Sequence, residues 1–376
     1  MPSERAIALS APLAPAGFPP LVQGKKPLSL FEFWPMWLFY APVVLWALLL
    51  ALRFRGLLLP TGVNPAFPVG GIVGESKSDI LTVVQRYLGE NVAPFIRRRR
   101  GTGDAAHEAA AILAALPENG LDFPLVAKPD KGCRGAGVRP LYTAAELENY
   151  LQHFPKNADV IVQRLIDCEG EAGVFYVRQP HEARGRILSL TLKYFPYVLG
   201  DGVSNLRTLI RRDPRAGRLA DIYFPRFADR LDTVPEKGEA VRLAFAGNHS
   251  KGTIFRNGDA LVTPEMEALF DRLSQKIPGF YFGRYDIRFD DFERIRAGEA
   301  AFTILEINGA GAESTHIWDA EVSLLKAWRD LMEQCYLAWK IGAINRRAGA
   351  KLLTPAALWA DYRNEKRMIR HYPSTY

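Results

Sequence analysis

The chain has 376 residues, enough for roughly two or three domains, and a globular composition of 48% hydrophobic, 11% aromatic and 24% charged residues. That excludes a disordered tail protein, a collagen and a coiled coil. Lys and Arg number 48 against 41 Asp and Glu, and the formal charge of +7 suits phosphate-bearing ligands or an anionic membrane surface. Three cysteines, Cys133, Cys168 and Cys335, are too few and too scattered for a disulfide framework or a cysteine zinc site, so a reducing compartment is the default.

Near the start, the 20 residues Phe33–Leu52 carry no charge. At ~1.5 Å per residue a helix of them reaches ~30 Å, the thickness of a hydrocarbon core. Trp34 and Trp37 open the run, and Arg53 and Arg55 close it. Pro35 falls in the first turn, where a missing N–H costs nothing, whereas Pro42 predicts a kink or a shallow re-entrant hairpin. The expectation is a single N-terminal membrane anchor, with a buried core helix as the alternative. The late start of the run argues against a cleaved signal peptide. Lys25 and Lys26 precede it, so basic residues flank both ends and charge alone does not set the orientation.

Leu57–Pro68 reads as a proline-rich loop, and Val69–Gly74 as a strand running into a capped helix through about Leu88. The run Arg97–Arg100 reads as a solvated turn, or as a contact for anionic lipid. No aromatic interleaving accompanies it, so nucleic acid is not an expected partner. Ala105–Leu116 is helical. From Phe123 onward short β-branched segments alternate with glycine turns, at Leu125–Lys128, Val160–Gln163, Val174–Arg178 and Ile187–Leu192. Helices are expected at Ala144–His153, Thr263–Gln275, Val322–Ile344 and Pro355–His371. The mixture predicts α+β domains sharing a cleft; oligomeric state is not legible.

Two constellations carry chemistry. In the first, the apolar strand Val126-Ala127-Lys128 runs into a loop with Gly132, Gly135 and Gly137 and the cations Lys131 and Arg134. Glycines let backbone N–H groups approach an anion and the cations neutralise it, although the spacing is neither a Walker A motif nor a dinucleotide fingerprint. The bland alternative is a glycine-rich hairpin. In the second, Gly283–Phe289 alternates, with Arg284, Asp286 and Arg288 on one face and Tyr285, Ile287 and Phe289 on the other. Glu306 and Asn308 share a face in Thr303–Asn308. If the two segments pair as an antiparallel hairpin, opposite residues sit ~4.5–5.5 Å apart. Asp286, Glu306 and Asn308 then share a cation, and such hard oxygen donors suit Mg²⁺. The alternative is a charged outer face on which Arg284 and Arg288 simply pair with the acids.

Taken in order, V-A-K-P with its glycine loop, I-V-Q-R-L-I, the later Lys193, G-R-Y-D and E-I-N-G-A-G resemble the ATP-grasp superfamily. Within it, the set looks like D-alanine–D-alanine ligase and other carboxylate–amine ligases, over roughly residues 123–315. The segment Val198–Ile210, with Gly200-Asp201-Gly202, resembles that of cyanophycin synthetase. The resemblance implies an ATP-grasp fold of two α+β subdomains clamping ATP. It divides the chain into an anchor segment 1–58, a short preceding region 61–120, an N-terminal subdomain 121–200, a C-terminal subdomain 201–345 and a helical tail 346–376.

By the same resemblance, Lys128 meets the ATP phosphates with Lys131 under the loop of Gly132, Gly135 and Gly137. Gln163, Arg164 and Ile166 lie on the strand that holds adenine, and Glu171 takes the ribose hydroxyls. Lys193 is a further phosphate-side cation. Asp286, Glu306 and Asn308 hold one or two Mg²⁺ (or Mn²⁺) ions, and Arg284, aided by the Gly311 backbone, stabilises an anionic intermediate. The implied activity is a membrane-anchored, Mg·ATP-dependent ligase joining a small-molecule carboxylate to an amine, such as amino acids, through an acyl phosphate, with its catalytic domain in the cytoplasm. The alternatives are an ATP-grasp small-molecule kinase and a non-catalytic nucleotide-binding adaptor. D-alanine ligases carry a fuller N-terminal domain and an anchor is not typical of them, so the acid and the amine are not assigned. His249–Thr253 and Glu313–His316 flank the proposed cleft as candidate acceptor contacts.

Overall fold

Strands and helices follow the patterning in a computed structural model describing residues 15–21, 28–72, 74–132, 135–245 and 247–373. Lys25, Lys26, Cys133 and Arg134 lie outside these residues. The chain opens with α1 (Met36–Arg53), α2 (Lys77–Leu88), β1 (Phe95–Arg99) and α3 (Ala105–Ala115). Next come β2 (Leu125–Pro129), β3 (Arg139–Leu141), α4 (Ala144–His153), β4 (Asp159–Arg164), β5 (Gly170–Val177) and β6 (Arg186–Tyr194). After them lie β7 (Tyr197–Leu199), α5 (Leu206–Arg212), α6 (Ala220–Tyr223), β8 (Ala240–Arg242), β9 (Ile254–Asn257) and α7 (Pro264–Gln275). The chain finishes with β10 (Phe282–Phe289), α8 (Phe292–Arg296), β11 (Thr303–Asn308), α9 (Leu324–Arg347) and α10 (Pro355–Ile369).

The result is an α+β fold with two sheet-bearing subdomains. One sheet has the order β1-β4-β2-β3, the other β11-β10-β5-β6-β9, and a two-stranded β7-β8 ribbon stands apart. Helices α3 and α4 cover the first sheet through Ile112, Leu147 and Leu151, which pack with Leu125 and Val162. Helices α2 and α7 cover the second, where Val84, Met266 and Phe270 meet Val174, Tyr285 and Ile287. The β7–β8 ribbon and α5–α6 make a separate small core around Leu206, Ile210 and Tyr223. A buried ion pair of 2.7 Å between Arg215 and Glu32 ties that insertion to the segment before α1.

Three expectations need correction. Val69–Gly74 is not a strand, because Pro68–Gly71 is a 3₁₀ turn with Val69, Gly70 and Gly71 at positive φ. The arginine run is not a solvated turn: Arg97–Arg99 lie in edge strand β1, Arg97 pairs with Asp79 at 2.8 Å, and buried Arg100 pairs with Glu108 at 3.1 Å. Cationic side chains on a sheet edge blunt edge-to-edge pairing. Third, α1 runs through Pro42 as one helix, so residues 33–52 form no re-entrant hairpin.

The apolar helix α1 is long enough to cross a membrane by length and composition, yet one side of it is packed on α9. Phe39 and Val43 join the cluster of Trp318, Ala327 and Leu331. The indole N–H groups of Trp46 and Trp328 donate to Met332 O and Phe39 O at 3.0 and 2.9 Å.

Candidate active site

The cross-strand pairing that brings the acids together is real. β10 and β11 are antiparallel, with Asp286 opposite Glu306 and Arg284 opposite Asn308. Tyr285, Ile287 and Phe289 point into the core, so Arg284, Asp286 and Arg288 face the other way. The register slips after Asp286, whose neighbour Ile287 pairs with Ile304, and Leu305 is left as the unpaired residue of a bulge. Its carbonyl is therefore available. It accepts Lys128 Nζ at 3.2 Å and the Gln163 amide at 3.3 Å, both from the first sheet. The bulge thus stitches the two sheets together beside Glu306.

These residues line one cavity of about 470 Å³ between the sheets, within the ~300–1,000 Å³ usual for small-molecule sites. Its wall includes Lys128, Gly132, Gly135, Gln163, Arg164 and Ile166 on one side. The other side brings Glu171, Lys193, Arg284, Asp286, Glu306, Asn308 and Gly311. Lys131 and Gly137 lie outside this lining. Gly137 O accepts the Tyr150 hydroxyl at 2.8 Å, and Lys131 O accepts that of Tyr372 at 2.6 Å, so both hold the loop's outer side. The loop's base is fixed by α2, whose Lys77 and Ser78 N–H groups donate to Asp130 O and Oδ1 at 3.1 and 2.8 Å.

The floor is a continuous charge network. Lys193 Nζ donates to Glu171 Oε1 and Asp286 Oδ1, both at 2.9 Å. Arg284 forks onto Asp286, with Nε to Oδ1 at 3.0 Å and Nη2 to Oδ2 at 2.9 Å, while Nη1 reaches Glu313 O at 2.9 Å. The Asn308 amide also donates to Asp286 Oδ2 at 2.9 Å. Arg288 pairs with Glu171 at 3.3 Å and donates to Ile166 O at 2.6 Å. Room for the Arg284 fork comes from Gly173, directly opposite Asp286 on β5, where a Cβ would stand 3.1 Å from the Arg284 side chain.

Burial opposes charge at Asp286 and Glu171, but Arg284 and Lys193 at the first, and Lys193 and Arg288 at the second, hold both carboxyls well below the usual range. Burial would likewise lower the Lys193 ammonium, yet Asp286 and Glu171 outweigh it and raise it. Lys128 has less compensation, and burial pulls it below the usual lysine range despite Glu306. So the arginines do pair with the acids, as the bland alternative had it, and the expected ribose acid Glu171 has both oxygens engaged. Gly311 N–H is engaged too, donating to Gly71 O at 2.6 Å.

Among the described residues no group of three or more His, Cys, Asp or Glu forms a metal cage. The donor set still suits a hard cation. Half-buried Glu306 accepts no hydrogen bond among the described residues, and it stands opposite Asp286 on the ladder beside the amide-bearing Asn308. Two carboxylates and an amide oxygen are the ligand types Mg²⁺ takes.

Sequence reasoning missed Glu75. Its Oε2 is buried without a hydrogen-bond partner among the described residues, and burial, reinforced by Glu306 and Glu365, pushes its carboxyl up to about 7 against the pull of Lys77 and Arg284. It lines the cavity just after the Gly70–Gly71 turn. The backbone of Gly71 packs so closely on Gly309 that a Cβ would come within 2.6 Å of it. The glycine pair itself was the available signal, since two adjacent glycines mark a backbone bent for close approach. Of the two acceptor segments, His249, Glu313 and Thr315 reach the cavity, and the His249 ring stacks on Trp318 at 4.5 Å. His316 instead bonds Asp330 at 2.9 Å.

No family model and no curated protein matches the chain. Solved structures share partial similarity with it. D-alanine–D-alanine ligase from Bacillus anthracis has a TM-score of 0.37 at 14% identity, over 70% of this chain and 68% of that one. VanG D-Ala:D-Ser ligase from Enterococcus faecalis has a TM-score of 0.38 at 14% identity, over 72% and 64% respectively. A bifunctional glutathione synthetase from Pasteurella multocida has a TM-score of 0.35 at 16% identity, over 69% of this chain. The chain spans only 35% of that last protein's length.

Proposed function

We propose that the chain is an ATP-grasp, Mg·ATP-dependent ligase that joins a small carboxylate to an amine through an acyl phosphate. The observation that carries this reading is the convergence of Lys128, from the first sheet, with Lys193, Arg284, Asp286, Glu306 and Asn308, from the second, on one cavity.

A carboxylate attacking a γ-phosphate brings anions together, and preorganised cations offset that repulsion. Lys128 and Lys193 are the cations in place for the phosphates, under Gly132 and Gly135. Adenine is assigned to the side lined by Gln163, Arg164 and Ile166. Glu306 and Asn308, with Asp286 opposite Glu306, are the residues to hold Mg²⁺, which when bound would supply further neutralisation of phosphate charge. Arg284, already oriented by its fork onto Asp286, faces the charge that develops when the amine attacks the acyl carbon. Glu75, with one oxygen unpartnered and a carboxyl that titrates near neutrality, is suited to hold the amine or take its proton. Dependence on ATP would make the catalytic face cytoplasmic.

The test is ADP release from the intact chain in mild detergent, screened over amino acids, dipeptides and small acids. Residues 1–58 must stay, because α1 is part of the packed body. Trapping by hydroxylamine identifies an acyl phosphate. A stable phosphorylated product would mark a kinase instead, and ATP binding with no ADP release across the screen would sink the enzyme reading.

A further inference from the structure

The geometry points to α1 as an in-plane docking helix for an anionic lipid bilayer, lying flat on the membrane with the body of the protein above it. The inner face of α1 is committed to α9, with Phe39, Val43 and Leu50 buried. The outer face carries no polar residue to meet water: Trp37, Val44, Leu45, Leu48, Leu49 and Leu52 are 50–76% exposed. Over 18 residues this stripe is ~27 Å long, and Leu30 and Phe33 continue it before the helix. Apolar patches of that extent mark membrane or protein contacts.

Charge selects the occupant. α1 and α9 run side by side and end together, where the Arg346 guanidinium donates to Arg55 O at 3.0 Å. That end gathers Arg53, Arg55, Arg346 and Arg347, all exposed and none in an ion pair among the described residues. An apolar stripe beside a cationic cluster is the paired signal that holds a protein on anionic lipid. Among the described residues, Glu32, Glu333 and Asp330 are already paired, with Arg215, with Arg186, and with His316 and Lys326, so they offer the arginines of a second copy little attraction.

The packing also sets the orientation. Turning α1 across the bilayer would either drag Lys326, Arg329, Asp330 and Glu333 of α9 into hydrocarbon or strip α1 from the body. Stripping it breaks the Trp46, Trp328 and Trp339 bonds to Met332, Phe39 and Gly56, and the bond from Tyr40 to Glu313 on the cavity wall. Met36, at the head of the same helix, lines the cavity, so flat docking brings the cavity mouth to the lipid interface.

The experiment is sedimentation of the intact chain with vesicles of phosphatidylcholine, with and without phosphatidylglycerol, together with quenching of tryptophan fluorescence by lipids brominated at shallow or deep positions. Binding should require phosphatidylglycerol, weaken with salt and show shallow quenching. The double variant Leu45→Glu with Leu49→Glu should abolish binding while leaving the circular dichroism unchanged. Arg53→Gln with Arg55→Gln should weaken it ~30-fold. Deep quenching with resistance to alkaline extraction would overturn the proposal in favour of a spanning helix. A dimer broken by the leucine variant, with no vesicle binding, would overturn it in favour of a protein interface. Vesicle binding needs no turnover, so its failure and failure of the ligase reading are separate results.

Discussion

Asp286 and Glu306 are assigned to the same cation, yet the fold holds them so differently that conservative amide substitutions should separate them. Asp286 receives four charge-assisted or amide hydrogen bonds, from Lys193 Nζ, Arg284 Nε and Nη2, and Asn308 Nδ2. Each oxygen serves two donors. In Asp286→Asn one of those oxygens becomes an NH₂ that faces two other donors, and the negative charge holding Arg284 and Lys193 disappears. Hydrogen bonds to charged groups contribute ~1.5–3 kcal/mol each, and breaking a buried ion pair costs ~3–5 kcal/mol. The expected destabilisation is therefore ~3–5 kcal/mol, with the side chain 12% exposed and little solvent to compensate. Glu306 accepts no such bond, so Glu306→Gln gives up only its unbonded attraction for Lys128 and Arg284, at ~1 kcal/mol or less. Urea unfolding followed by tryptophan fluorescence reads both values, with ADP release measured alongside. Both variants should lose turnover while only Asp286→Asn loses stability. If Glu306→Gln costs as much stability as Asp286→Asn, Glu306 is a structural acid and the free acceptor needed for a cation is not there.

Three further outcomes follow from the same network. Glu75 has its folded pKa raised from 4.5 to about 7, so the folded state holds a proton that the unfolded chain has released between those values. Stability therefore falls as pH rises through that window; relative to Glu75→Gln, urea midpoints at about pH 5 and pH 8 should reveal a loss of up to ~3 kcal/mol, and parallel midpoints would refute the assignment. Lys193→Met leaves Glu171 and Asp286 each short of a donor and should destabilise by ~3–5 kcal/mol in the same urea assay. Gly173→Val overfills the space under Arg284 and should cost ~1–3 kcal/mol, with a larger proportional loss of ADP release than of stability; equal losses would mean that the Arg284 fork has no part in turnover.

How much of this was legible depended on how local the signal was. β10 could be read because Tyr285, Ile287 and Phe289 alternate with Arg284, Asp286 and Arg288, and its pairing with β11 put Asp286 opposite Glu306 as alternation required. The bulge at Leu305 could not be read. Strict alternation puts Ile304 on the face of Glu306, whereas the slipped register buries Ile304 and turns the Leu305 carbonyl toward Lys128. β1 was hidden because Phe95 and Ile96 are its only apolar residues, and its Arg97 finds Asp79 of α2, as Arg100 just beyond it finds Glu108 of α3, only in the folded chain. The apolar run predicted a helix correctly but not its partner, since a sequence of Leu, Val and Trp suits lipid and α9 equally well. Glu75 escaped for the same reason: its environment is assembled from Glu306 and Glu365, both far away in sequence.

The helical tail, which carried no expected role, bears directly on the glycine loop after β2. Glu365 of α10 accepts Gly74 N–H at 2.7 Å. Beyond α10, the Tyr372 hydroxyl donates to Lys131 O at 2.6 Å, and its ring stacks on Phe154 at 5.5 Å. A Cβ at Gly132 would stand 3.3 Å from that ring, and one at Gly137 would come within 2.8 Å of Pro129. Lys131 is thus tied to Tyr372, a contact 241 residues away in sequence, while α2 fixes Asp130 beside it. Tyr372→Leu removes the hydroxyl and most of the stack while keeping an apolar contact. Losing one such hydrogen bond costs ~1 kcal/mol or somewhat more, so local opening should become ~10-fold more frequent. Trypsin cleavage after Lys131 reads that opening directly, independent of any substrate. Mg·ATP should slow the cut in the wild type and in the variant if the loop closes on phosphate. A cleavage rate unchanged by Tyr372→Leu would mean that α2 alone holds the loop, and the tail would lose its part in the site.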